Sequence, residues 1–172
     1  MDVTTVLLAE YSQLKAEQIH RIGVRDNLVY ATLAAVAAVV VGATQSPAGV
    51  HLLLALPPAC ALLGWTFLAN DQRITAIGVY LRDGLTPSLS VAAGAQALGW
   101  ERHRLDDSRR RRRKRVQLAA DLGTFCLPGL AALLVYWAYA PRHLWLYAVS
   151  LADFAVVAGL VYLIVSYRER RD

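Results

Sequence analysis

Charge is missing from most of this sequence. The 172 residues carry 18 Lys plus Arg and 13 Asp plus Glu, yet these crowd into a few short windows and leave long stretches bare. A soluble domain intersperses charge, because every surface helix needs a wet face. The distribution therefore excludes an ordinary soluble domain. Cysteine is scarce as well. Cys60 and Cys126 both lie in apolar blocks, with no CxxC and no Cys/His cluster, which excludes a disulfide framework or thiolate metal site. They read as two small buried hydrophobes. His20, His51, His103 and His143 are scattered and form no ligand set at metal spacing. No Ser/His/Asp arrangement, phosphate-cradling glycine loop or HExxH is present. The chain reads as a non-enzyme, with no metal or cofactor expected.

The opening stretch "MDVTTVLLAEYSQLK" lacks the basic n-region and the long apolar core of a signal peptide. Insertion through the first span is expected instead. Nothing marks lipidation either, since position 2 is not Gly and no C-terminal Cys box is present.

What is there is apolar sequence in four blocks. They cover residues 27–44, 50–69, 116–140 and 143–167. Each is long enough to cross a hydrocarbon core about 30 Å thick. Only helices or closed barrels satisfy the backbone in that medium, and the blocks lack the alternation of barrel strands. The expected fold is all-α: four transmembrane helices, with long helices extending into a cytoplasmic helical region. Every Lys and Arg except Arg142 lies before the first block, between the second and third, or after the fourth. With four spans those regions share one side, and the positive-inside rule makes it the cytoplasm. Both termini are then cytoplasmic. The outer connectors "QSPAG" and "PR" are read as tight turns. Trp65, Trp137, Tyr139, Trp145 and Tyr167 are read as interfacial aromatics near span ends.

The cytoplasmic parts carry helical spacing too. Leu7, Tyr11, Leu14, Gln18 and Ile22 fall near one stripe, and Glu17 and Arg21 form an i,i+4 pair. No proline interrupts residues 2–43. One helix, on the order of 60 Å long, is expected to include residues 1–26 and the first span. Ile74, Ile77 and Leu81 continue the second span into residues 70–115, an arm that pairs with the first helix as an antiparallel hairpin. "GLTPSLSVAAGAQ" is expected to break that arm at Gly84, Pro87 and Gly94. Residues 97–115 resume a charged, helix-compatible stretch. Residues 168–172 are a tail.

Asp153, in "SLADFAVV", is the sharpest polar feature, about ten residues into the fourth block and near mid-bilayer. An unpaired charge there costs several kcal/mol, so its side chain is expected to face protein or water. No block contains a Lys or Arg to pair with it. Its available partners are water and the hydroxyls of Tyr30, Thr32, Thr66, Thr124, Tyr136 and Tyr147. A carboxylate lining an ion or proton path, repeated around an oligomer, and a protonated Asp bonding between helices both stay open. Asp121 lies nearer the cytoplasmic end of the third block and reads as structural, paired with an arginine of another helix. Asp26 and Asn27 read similarly. Pro57-Pro58 and Pro128-Gly129 fall mid-span and predict kinks. Gly42, Gly64, Gly123, Gly129 and Gly159 permit close helix contact.

The basic run Arg109, Arg110, Arg111, Arg112, Arg113, Lys114 and Arg115 abuts the third block. As a nucleic-acid site it lacks a reader fold and interleaved aromatics. As a topogenic signal it suffices, and it also suits anionic lipid headgroups. Several copies meeting in an oligomer would make a ring able to sense a nucleotide-type or other anion.

"NDQRITAIGVYLRDGL" followed by "LGWERHR" resembles a group of uncharacterised bacterial four-span integral membrane proteins, found especially in GC-rich bacteria. The resemblance covers the cytoplasmic hairpin and second span better than the rest. More distantly, spans joined to cytoplasmic helices resemble the architecture of SLATT-type membrane effectors. That resemblance implies a homo-oligomeric pore or ion-channel-like effector in the bacterial inner membrane, serving defence or signalling and gated from the cytoplasm. The rival expectation is a non-conducting scaffold that recruits a cytoplasmic protein through residues 4–26 and 70–115. A small transporter or membrane enzyme subunit would need more polar residues at mid-bilayer than the sequence holds.

Overall fold

The structure, a computed structural model, describes residues 3–45, 47–94, 110–139 and 143–169. Among them the chain is all-helical, with no strand. Helix α1 covers Val3–Thr44 and a 3₁₀ segment covers Pro47–Ala55. Helix α2 covers Leu56–Tyr80, a π turn Leu81–Leu85, and α3 Thr86–Ala93. Then come α4 (Arg110–Phe125), α5 (Leu127–Tyr139) and α6 (Leu144–Glu169). Three helices are long and apolar enough to cross a membrane: Val3–Thr44, Gly49–Ala93 and Leu144–Arg168. A fourth is present if α4 and α5 count as one span bent by 41°. The chain forms two compact units, residues 1–26 with 69–110 and residues 27–68 with 111–172.

In the first unit, α1 presents Thr4, Leu7, Tyr11, Leu14, Gln18, Arg21 and Arg25 along one partly buried stripe, spaced alternately three and four residues apart. That spacing keeps a seam facing a partner helix. Leu7, Tyr11 and Leu14, together with Ile77, pack on Leu81, Leu85 and Leu89. Higher on the stripe the contacts turn polar. Gln18 donates to the Ile74 carbonyl at 3.3 Å and Arg21 to Asn70 at 3.4 Å. Arg25 pairs with the buried carboxylate of Asp71 at 3.5 Å. Positions rise on one helix as they fall on the other, so the two run antiparallel. Glu17 and Arg21 also pair within α1, at 2.6 Å.

The expected break at Gly84 and Pro87 does not occur. A π turn carries the chain past them into α3. Pro87 has no N–H to give, and the widened i→i+5 turn relieves the clash its ring would make in a regular helix. Thr86 satisfies the Leu81 carbonyl twice, through its backbone N–H and through Oγ1 at 2.7 Å. The wide turn also brings residues four apart nearly into line, so Leu81 and Leu85 share the buried face. Gly94 does end the helix, with φ at +63° in the left-handed region open to glycine. Residues 95–109, expected to be charged and helical from position 97, lie outside the described residues.

In the second unit, close approach substitutes for the hydrophobic drive that lipid cannot supply between helices. A Cβ on Gly64 of α2 would lie 2.8 Å from Leu160 Cδ2 and 2.9 Å from Phe125 Cβ. One on Gly129 of α5 would lie 3.2 Å from Pro57 Cα and 3.3 Å from Val157 Cγ2. Gly42 meets Leu52 in the same way, whereas Gly123 and Gly159 face open space. Around these contacts pack Ala61, Phe67, Leu68, Phe125, Cys126, Val157, Leu160 and Ile164. The connector after α1 is tight because Gly49 lies against the Ala43 carbonyl oxygen, where a Cβ would come to 2.7 Å.

The two proline features differ from each other. Pro57 and Pro58 sit in the first turn of α2 and mark the switch from 3₁₀ to α geometry, without the expected kink. A first-turn proline gives up an N–H that has no partner there anyway. Pro128 does bend its span. Cys126 N–H reaches the Leu122 carbonyl and Leu130 N–H reaches Cys126, but Pro128 has no N–H for Thr124. The "PR" connector lies outside the described residues.

Candidate functional site

The buried face of α6 sets the site. Leu146, Ser150, Asp153, Val157, Leu160 and Ile164 are buried at spacings of four, three, four, three and four. Asp153 thus occupies a seam position that an apolar residue would ordinarily fill. It is 8% exposed. Its Oδ2 is fully buried and has no hydrogen-bond partner among the described residues. None of the expected hydroxyls bonds to it. Thr32 and Thr66 instead bond their own helix carbonyls at Leu28 and Leu62, and Tyr30 points outward.

The seam fixes what surrounds Asp153. One turn before it, Ser150 accepts a hydrogen bond from the Trp137 indole at 2.9 Å. One turn after it, Val157 closes on Gly129. These two contacts give α5 and α6 one antiparallel register, and Asp153 stands opposite Leu133, itself 1% exposed. Pro57 meets the same Gly129 surface, which brings the buried Leu53 and Leu56 to this level. By that register, the buried residues expected level with the carboxyl are Leu53, Leu56 and Leu133. The next turn of α5 carries Tyr136, whose hydroxyl is also buried without a partner. The Tyr136 ring lies 6.0 Å from that of His51, and His51 Nδ1 is the third such orphan. Asp153 stands out in the sequence, whereas His51 reads there only as one of four histidines too scattered to form a metal ligand set. Asp153 faces the interior of its own unit.

Asp121 pairs with Arg168 of α6. Arg115, six residues back on its own helix, is exposed. Arg168 was hidden from sequence reading because it looked like part of a charged tail. Its position four residues past Ile164 extends the buried seam, and that spacing was the available signal. Asp26 pairs with Arg25 at the surface.

Of the basic run, Arg110, Arg111, Arg112, Arg113, Lys114 and Arg115 form the first turns of α4, and Arg109 lies outside the described residues. Arg112 and Arg115 are exposed. Among the described residues no group of three or more His, Cys, Asp or Glu is placed to hold a metal ion. No protein-family model, curated protein or solved structure matches the chain.

Proposed function

We propose that this is a pore or ion-channel-like membrane effector, gated from the cytoplasm, whose conducting element is the interior of the second unit. The observation that carries the reading is Asp153, a buried carboxyl with an unpartnered oxygen in a helix long and apolar enough to span a membrane. Intramembrane carboxyls are costly and mark ion or proton pathways. On this reading the chain is a four-span protein of the bacterial cytoplasmic membrane, with both termini inside, placed there by the basic run and acting as a homo-oligomer. The first unit would receive the gating signal, and the basic run would contact anionic lipid or a nucleotide-type anion. Ion flux in proteoliposomes, with and without Asp153→Asn, tests it. Absence of flux with every ion and cytoplasmic ligand tried would overturn it.

A second reading, a non-conducting scaffold that recruits a cytoplasmic protein, is favoured by the first unit. Its α1 surface carries an open groove lined by Val6, Ala9, Glu10, Gln13, Leu14 and Glu17. Val3 and Ile19 are exposed on the same helix. A pull-down that depends on those residues, from a protein that carries no flux, would favour the scaffold.

A further inference from the structure

We propose that the conducted species is the proton, relayed by the Asp153 carboxyl within a single copy of the second unit. This rests on the conducting reading above and names its substrate.

Ligand number separates a proton from a metal cation here. A metal cation gives up its hydration shell in a narrow path only where rings of oxygens replace it. The layer around Asp153 offers one carboxyl amid Leu53, Leu56 and Leu133, each no more than 8% exposed. A sodium or potassium ion entering it would exchange a full shell for a single ligand. A proton needs only groups that both donate and accept, and carboxyl, hydroxyl and imidazole all do so. Of the four buried atoms left unpartnered among the described residues, three belong to such groups, and the fourth is Arg168 Nε, a donor only. Tyr136 Oη and His51 Nδ1 join Asp153 Oδ2 as buried polar atoms without a bond. They come from three elements of one unit: His51 from the 3₁₀ segment, Tyr136 from α5 and Asp153 from α6. Tyr147 is the other titratable group on this stretch of α6. Helix α1 adds the buried Thr32 hydroxyl, and α2 adds the buried Cys60 thiol, which packs with Leu53, Leu56 and Ala132. Asp121 and Arg168 stand about four turns of α6 further along, near its C-terminal end. An orphaned polar atom in hydrocarbon is destabilising unless it is transiently served by water. Water reaching these three atoms in turn would complete the relay.

The test uses full-length protein in sealed proteoliposomes, with the membrane potential clamped by potassium and valinomycin. A trapped pH dye reads protons, and parallel vesicles read sodium and potassium uptake. The expected result is proton flux without matching cation flux. It should fall about tenfold or more in Asp153→Asn, a floor below the ~10²–10⁴-fold that a positioned proton-transfer group typically contributes. Asp153→Glu, which keeps the carboxyl, should retain flux, and Tyr136→Phe should slow it. Sodium or potassium flux equal to proton flux, and equally sensitive to Asp153→Asn, would overturn the proton assignment and leave the conducting reading standing. Proton flux unchanged in Asp153→Asn would overturn the relay. No flux of any ion would overturn both.

Discussion

Arg168 of α6 donates to Asp121 of α4 at 2.5 Å, across 47 residues of sequence. Their side chains are 11% and 9% exposed. Breaking such a pair leaves a buried charge alone, which costs roughly 3–5 kcal/mol, whereas replacing both partners is far milder. Arg168→Met and Asp121→Leu are each expected to lower the unfolding temperature in detergent strongly, and the double variant to recover most of the loss. Losses that simply add in the double variant would mean the two side chains do not interact.

Helix spacing in the second unit gives a sharper contrast. Gly64→Ala places a methyl at 2.9 Å from Phe125 Cβ, an atom fixed to its backbone. Overpacking of this kind costs about 1–3 kcal/mol. Gly159→Ala meets nothing within 4 Å and gains helix propensity, so it should be neutral or stabilising by up to about 1 kcal/mol. Thermal unfolding of the two variants side by side checks this. Equal effects would contradict the packing described.

Much of this was legible from residue types. No proline lies between Val3 and Thr44, so nothing stops one long helix there. Leu7, Tyr11 and Leu14 fall on one stripe because the helical period puts them there, and that stripe is where α1 packs. The turn at Gly84 and Pro87 was not legible. Its outcome depends on Thr86 capping the Leu81 carbonyl and on a buried leucine face that rewards continuing the helix. Gly64 and Gly159 look alike in sequence, and only the neighbours of each decide which one packs. Asp153 was visible as an oddity, but its inward direction follows from the spacing of the whole α6 seam.

The first unit carries a pH dependence. Tyr80 donates to Glu10 at 2.7 Å. That hydrogen bond, reinforced by the carboxylate charge, raises the phenol above its usual 10.0. The folded state then holds this proton more tightly than the unfolded chain. The contact's contribution is complete below pH 10.0 and is lost as pH rises through the higher folded value. Subtracting the phenolate absorbance titration of Tyr80→Phe from that of the wild type should reveal one late-titrating tyrosine, and Glu10→Gln should bring it back. A difference curve centred at or below 10.0 would contradict the contact.

The basic run has its own test. Changing Arg109–Arg115 to glutamine should send a fraction of molecules into the membrane inverted, read by reporters fused at each terminus. Unchanged orientation would mean that the other basic residues on that side, Arg102 and Arg104 among them, suffice to set topology.

The account turns on whether the inward-facing carboxyl of α6 carries flux. The most direct measurement compares wild type and Asp153→Asn at equal protein-to-lipid ratio, after confirming that both elute identically from detergent. Proton flux in the wild type, reduced about tenfold or more by this one-atom change, is the predicted result. Equal flux in the two proteins, or none in either, would contradict it.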